Sequence, residues 1–110
     1  MQIDISVENE LAVAVISGEI DGKTAPQAQS ELLPAMGSCG KIVIEMSGVT
    51  YLSSAGLRTL LLLYRQAVAK NGKIALVGLS EEIKDVMSMT GFLKFFAVEN
   101  TLDDGKRSLN

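Results

Sequence analysis

Two short apolar runs on either side of a leucine-rich stretch restrict the fold more than any other feature of this chain. KIVIEM at 41–46 and KIALVGL at 73–79 are rich in β-branched and other apolar residues, a composition typical of strands buried on both faces. Between them, residues 54–70 carry apolar side chains at helical spacing, and Asn71-Gly72 supplies a stop signal. A strand, a helix and a second strand in this order predict a parallel pair joined by a right-handed crossover.

The N-terminal part of the chain predicts a hairpin followed by a helix. IDISVEN at 3–9 and LAVAVIS at 11–17 are β-prone runs around a polar turn, and GEIDGK at 18–23 is predicted to be a loop. Thr24 and Gln27 match a capping box, with a proline in the first turn, so a helix is predicted to begin there.

The remaining helix and strand boundaries follow from local signals. Pro34 is expected to interrupt or kink the first helix, because proline lacks an amide donor and clashes with the preceding turn, and residues 37–40 are predicted to be its exit loop. Ser80 caps a further predicted helix, FFAVE at 95–99 is a last predicted strand, and Thr101 begins a short terminal helix. The predicted inner face of the helix after Ser80 is formed by Ile83, Val86, Met87 and Thr90.

This order of elements predicts the fold class. Strands that alternate with helices after an opening hairpin indicate an α/β fold with a small mixed β-sheet and helices packed on one side. The chain has 110 residues, of which 47% are hydrophobic, a size that suits one core, so residues 1–110 are predicted to form a single domain.

Composition argues against several classes of function. A net charge of −3 opposes a nucleic-acid partner, since the phosphate backbone would meet a surface that mildly repels it. Cys39 is the only cysteine and there is no histidine, which excludes disulfides within the chain, the usual zinc sites and every catalytic arrangement that needs imidazole. The apolar runs, such as that at 60–63, are far too short to cross a bilayer. We therefore expect a cytoplasmic protein with no direct membrane insertion.

Ser53 and Ser54 stand directly before the central helix, and two interpretations of them stay open. A serine at a helix start commonly caps the helix, because its hydroxyl accepts a hydrogen bond from a free backbone amide. A serine at a strand-to-helix junction is also well placed for phosphorylation, since free amides and the helix dipole favour negative charge there. Gly56, in the first turn, indicates that another backbone approaches closely, either a partner's or that of a neighbouring strand.

The central helix also offers a candidate surface residue. Its predicted inner face consists of Leu57, Leu60, Leu61, Tyr64 and Val68. Leu62 then projects to the opposite side, among Arg58 and Arg65, and is predicted to be exposed. A single exposed leucine is ordinary, but a leucine flanked by two arginines also has the composition of a small interface anchor with a polar border.

A catalytic role for Ser54 finds no support in the sequence. A hydroxyl nucleophile needs a base, and without histidine no lysine or carboxylate is marked as its partner. SSAGL also lacks the glycine before the serine that a nucleophile elbow requires. We predict that the chain is not an enzyme and has no catalytic residue, no metal site and no cofactor.

Three segments resemble the motifs of one known family. These are GEID at 18–21, IEMSGVTYLSSAGL at 44–57 and VMSMTGFLKFF at 86–96. The first resembles the Gly-Glu-Leu-Asp box of the STAS domain family, the second its strand followed by Met-Asp-Ser-Ser/Thr-Gly-Leu, and the third its closing helix and final strand. Within that family the chain is most similar to the bacterial anti-sigma factor antagonists, and the family's fold agrees with the predicted order of elements.

The resemblance implies a partner switch in bacterial transcription regulation. In the family, an anti-sigma factor that is also a serine kinase phosphorylates the antagonist, whose unmodified form binds that kinase and frees the sigma factor. A metal-dependent serine phosphatase resets the switch. Aligned on Gly56 and Leu57, the phosphorylated serine is Ser54, and Asp21 matches the aspartate of the first box. The predicted partner-binding residues are Asp21, Ser53, Ser54, Gly56, Arg58 and Leu62.

Three positions differ from the family pattern. Ser53 replaces its aspartate, Ala55 replaces its second serine or threonine, and Arg58 stands where many members have glycine. The first change removes a negative charge beside the acceptor, whereas Arg58, at i+4 from Ser54, is within reach of a phosphate on the same helix face. The alternative is a constitutive STAS binding module without a phosphoswitch, such as a transporter-associated subunit, and the missing aspartate favours it.

Overall fold

The computed structural model describes residues 1–109, which form five strands and four α-helices around one sheet. In chain order these are β1 (Gln2–Glu8), β2 (Leu11–Ile20), α1 (Ala25–Cys39), β3 (Lys41–Leu52), α2 (Ser54–Ala69), β4 (Lys73–Val77), α3 (Glu81–Met89), β5 (Ala97–Glu99) and α4 (Leu102–Ser108). A short 3₁₀ turn, Leu93–Phe95, precedes β5. No helix in this part of the chain has both the length and the hydropathy needed to cross a membrane.

The predicted mixed sheet is confirmed. Its strand order is β1-β2-β3-β4-β5, with β1 antiparallel to β2 and every other neighbouring pair parallel. The hairpin turns at Asn9 and Glu10, whose φ angles of 51° and 66° belong to the tight turns that match the twist of paired strands. Because three parallel pairs follow one another, the helices α1, α2 and α3 all begin at the same edge of the sheet.

The helices lie on both faces of the sheet, which corrects one detail of the predicted fold. Ile42 and Ile44 of β3 belong to the main core, together with buried residues of α1, α2 and α3. Val43, which points to the opposite face, instead packs in a second cluster with residues of the C-terminal segment. A methyl group at Gly105 would lie 2.5 Å from Cγ2 of Val77, so this glycine lets α4 approach the second face closely.

Two strands are longer than the sequence indicates. β2 continues through Ile20, so the first half of the segment predicted to be a loop belongs to the sheet, and β3 continues from Met46 to Leu52. The extensions pair with each other, Glu19 with Tyr51 and Ile20 with Leu52, after two register shifts. This pairing gives the backbone amides and carbonyls of both glycine-containing segments their hydrogen-bond partners. The local sequence of either segment alone does not reveal it.

Helix α1 begins where predicted, but its start and its course differ from expectation. The Thr24 side chain does not cap the helix, and the Gln27 amide donates to Glu31 instead of reaching back, so the predicted capping box is wrong. The helix also runs through Pro34 without interruption. Leu32 and Met36, on either side of the proline, are both buried, and this packing offsets the lost hydrogen bond. The predicted exit loop is helical up to the left-handed residue Gly40.

The inner face of α2 is rotated relative to the prediction, and that of α3 is narrower than predicted. In α2 the buried side chains include Leu63 and Ala67, whereas Val68 is 58% exposed. Four consecutive leucines make the periodicity of this helix ambiguous, because every phase places some of them inside. In α3, Ile83 and Met87 are buried as predicted, while Val86 and Thr90 are exposed.

Candidate functional site

The candidate site lies where β2 and β3 end at one edge of the sheet. Ile20 and Leu52 are paired residues of these strands, and the Ser53 amide donates a 2.9 Å hydrogen bond to the Ile20 carbonyl. Asp21 follows Ile20, and Ser53 follows Leu52. The fold therefore brings together two of the three segments that resemble family motifs, those at 18–21 and 44–57, and the exposed Ser54 belongs to the second of them.

Ser53 is the N-cap of α2. Its backbone is extended, with φ −84° and ψ 177°, and its hydroxyl accepts a 3.3 Å hydrogen bond from the Gly56 amide. The side chain is partly buried. The capping interpretation thus applies to Ser53, whose hydroxyl serves the helix start.

Ser54 is the first residue of α2, and its side chain is exposed. Within residues 1–109 its hydroxyl forms no hydrogen bond, so the neighbouring serine alone supplies the cap. The free amides of the first turn and the positive end of the helix dipole lie beside it. Of the two adjacent serines, Ser54 is the more exposed, and its hydroxyl has no hydrogen-bond partner among residues 1–109.

Asp21 organises the loop between β2 and α1. Its Oδ1 accepts hydrogen bonds from the backbone amides of Lys23 and Thr24, at 2.9 and 3.1 Å, and from the Thr24 hydroxyl at 3.3 Å. The donated bonds from the Thr24 and Lys23 amides lower the pKa of this carboxyl below its ordinary value of 3.8. Asp21 is only partly buried, so a charged, structurally fixed carboxylate lies at this edge of the sheet, on the surface formed by Asp21, Ser53 and Ser54, here called the rim.

Of the two interpretations of Gly56, close approach of a neighbouring strand fits its surroundings better than contact with a partner. A methyl group in its place would lie 2.6 Å from Cδ1 of Leu52 and 2.7 Å from the Ile20 carbonyl oxygen. The residue is buried, so it cannot form part of an exposed partner surface. The backbone that approaches it is that of the neighbouring strand, and its function is to let α2 pack against the ends of β2 and β3.

Arg58 and Leu62 line an open groove between α1 and α2. Leu62 is 38% exposed, as predicted, and Arg58 is also exposed. The groove has a volume of about 460 Å³. The remaining lining residues on the α2 side are Ala55, Leu61 and Arg65, and those on the α1 side are Gly22, Ala25, Pro26 and Gln29.

Sequence reasoning missed the α1 half of this groove. Gln29 joins the two helices, because its amide donates a 3.2 Å hydrogen bond to the hydroxyl of Thr59, a residue that is only 1% exposed. Thr59 in turn donates to the Ala55 carbonyl. A buried threonine on α2 predicts that its hydroxyl has a hydrogen-bond partner. The sequence does not indicate that this partner lies on α1.

Together, the fold and this rim define a class of small α/β domains in which three helices begin at one sheet edge and one start carries an exposed serine. The sequence model of the STAS domain matches residues 2–105, and the chain belongs to the STAS domain family.

Related proteins and structures include anti-sigma factor antagonists. BtrV of Bordetella bronchiseptica, described as a candidate anti-sigma factor antagonist, is 28% identical over 92% of this chain and 88% of its own length. The crystal structure of an anti-sigma factor antagonist from Mycobacterium paratuberculosis is 28% identical, with a TM-score of 0.87, over 98% of this chain and 92% of that one. The Bacillus cell fate determinant SpoIIAA in its phosphorylated form shares the fold, with a TM-score of 0.78 at 19% identity over 99% of this chain and 100% of that one.

Proposed function

We propose that this chain is an anti-sigma factor antagonist that switches partners through phosphorylation of Ser54. In its unphosphorylated form it binds an anti-sigma factor that is also a serine kinase, and this releases the sigma factor. A metal-dependent serine phosphatase restores the binding form. The observation that carries the proposal is the exposed Ser54 hydroxyl at the start of α2, beside a serine whose hydroxyl caps the helix.

The start of α2 is a favourable place for a phosphate. Phosphorylation adds a charge of about −1.5 to −2 and three acceptor oxygens, which the free amides and the helix dipole stabilise. Ser54 is exposed, so a phosphate there displaces no packed side chain. The fold should therefore persist, in keeping with the shared fold of phosphorylated SpoIIAA.

The same phosphate would oppose binding. A partner that covers the rim would have to bury this charge or place it against a like charge, at a cost of several kcal/mol. Since about 1.4 kcal/mol corresponds to a factor of ten in affinity, a loss of a hundredfold or more is expected. The proposed contact surface consists of Asp21, Ser54, Arg58 and Leu62, while Ser53 holds the start of α2 in place.

Phosphorylation with purified components tests the proposal. The protein is incubated with ATP and a purified anti-sigma serine kinase encoded by the same genome, and the modified residue is located by mass spectrometry. We expect modification of Ser54, none in Ser54→Ala, and retained modification in the matched variant Ser53→Ala. Modification confined to Ser53 would contradict the proposal.

A constitutive binding module is the second candidate. It is favoured by one observation, the capping of α2 by Ser53 at the position where the family has an aspartate. Under this hypothesis Ser54→Asp and Ser54→Ala bind the partner equally well, and the protein isolated from its native cell carries no phosphate. We propose no catalytic activity for the chain, because the free Ser54 hydroxyl has no hydrogen-bonded base within residues 1–109.

A further inference from the structure

The groove between α1 and α2 combines an apolar floor with two cationic side chains. Leu61, Leu62 and Ala55 contribute apolar surface from α2, and Ala25 and Pro26 contribute it from α1. An open concave surface of about 460 Å³ between two helices is large enough to accept several side chains of a bound segment.

The charges around this groove have one sign. Arg58 and Arg65 line it one above the other along α2, and among the described residues neither forms an ion pair. None of the lining residues carries a negative charge, although the whole chain has a net charge of −3. Two unpaired arginines beside exposed apolar side chains on an otherwise acidic protein form a local surface that complements negative charge.

We infer that this groove is the docking site for an acidic amphipathic segment of the partner protein. Leucine-like side chains of the segment fill the space against Leu61 and Leu62, while its carboxylates meet Arg58 and Arg65. This is a helix-in-groove mode of recognition, in which apolar side chains supply affinity and the two arginines beside the groove set the orientation of the segment.

The inference rests on the proposed function, in that it names the chemistry of the segment that the antagonist binds. It also gives the Arg58 guanidinium two possible anionic partners, a carboxylate of the segment and a phosphate on Ser54. Arg58 lies one helical turn after Ser54, so a phosphate on that serine competes with the segment's carboxylate for the same guanidinium. The two ends of the contact surface, the rim and the groove, are thereby linked through one side chain.

A peptide titration tests the groove without any kinase. The probe is a short fluorescein-labelled peptide with leucine and glutamate at helical spacing, and its matched control carries lysine in place of each glutamate. We expect the acidic peptide to bind and to shift the amide NMR signals of Ala25, Ala55 and Leu62. We expect the lysine peptide to bind at least about tenfold more weakly.

Charge-reversal variants complete the test. Arg65→Glu should weaken binding of the acidic peptide by about tenfold or more and improve binding of the lysine peptide, whereas the exposed Lys73→Glu, at the start of β4, should change neither. Equal binding of both peptides, shifts confined to other surfaces, or an unchanged affinity in Arg65→Glu would overturn the inference. Failure here leaves the phosphorylation of Ser54 as an independent result, and failure of that phosphorylation leaves peptide binding unaffected.

Discussion

The hydrogen bond from the Ser53 amide to the Ile20 carbonyl, 2.9 Å long, joins the start of α2 to the end of β2. This bond fixes the position of the start of α2 relative to the loop that contains Asp21. The Gly56 amide then donates to the Ser53 hydroxyl, so one residue holds both the strand and the first helical turn. Because these groups are bonded to one another, Ser54 is presented at the surface without taking part in holding the helix.

Replacement of Gly56 by alanine should destabilise the protein. The added methyl group would meet Cδ1 of Leu52 at 2.6 Å and the Ile20 carbonyl oxygen at 2.7 Å, so the helix start must shift. Overpacking of this kind costs about 1–3 kcal/mol in the free energy of unfolding, which urea denaturation measures. Gly22→Ala is the matched control, since nothing lies within 4 Å of its added methyl and little change is expected. Equal stability of both variants would show that α2 does not depend on this close contact.

The two serines should separate in their effects on stability. Ser53→Ala removes the cap of α2 and should cost about 1 kcal/mol, whereas Ser54→Ala removes an exposed hydroxyl and should change stability by less than about 0.5 kcal/mol. Ser80→Ala provides an internal reference, because Ser80 caps α3 in the same manner, accepting from the Ile83 amide at 3.2 Å. Denaturation of the three variants in parallel makes the comparison. A larger loss in Ser54→Ala than in Ser53→Ala would contradict the assignment of the cap.

Local sequence patterns predict those helices and strands whose boundaries are marked by residues within or directly beside them. The starts of α2, α3 and α4 each have a Ser or Thr cap that the structure confirms, because a cap and its helix are neighbours along the chain. The extension of β3 to Leu52 could not be read in this way, since it depends on pairing with the end of β2. The groove likewise depends on how α1 lies against α2, and the run of leucines at 60–63 left the phase of α2 undetermined.

Asp21 should make stability depend on pH in the acidic range. Its folded-state pKa is lowered, chiefly by the hydrogen bond from the Thr24 amide and next by that from the Lys23 amide, so the stabilising contribution is present above the unfolded-state pKa. The contribution is lost as the pH falls through the folded-state pKa, which lies below 3.8. Asp21→Asn keeps an oxygen acceptor but removes the charge, so it should be less stable than the wild type at neutral pH. Urea denaturation should find this difference shrinking in strong acid. A difference of constant size across the pH range would mean that the carboxylate charge contributes nothing.

A charge at position 54 should separate binding from folding. Ser54→Asp places a carboxylate in the first turn of α2, where the helix dipole favours it, so the free energy of unfolding should stay within about 1 kcal/mol of that of the wild type. Binding to the anti-sigma kinase, measured by calorimetry, should nevertheless be weaker than for Ser54→Ala, because the interface must accommodate the charge. Equal affinities of the Asp and Ala variants would favour the constitutive binding module.

Arg58 should hold the phosphate once Ser54 is modified. The two residues are separated by one helical turn on an exposed part of α2, and Arg58 forms no ion pair among residues 1–109 that would restrain it. A cation within hydrogen-bonding reach favours the dianion, as does the helix start, so the second pKa of the phosphoserine should fall below its usual value of about 6. ³¹P NMR titration of the phosphorylated protein measures this pKa directly. Arg58→Ala should raise it, whereas Arg65→Ala, two further turns along α2, should not. The same pKa in wild type and Arg58→Ala would mean that the guanidinium does not reach the phosphate, and the competition between phosphate and partner for Arg58 would then be ruled out.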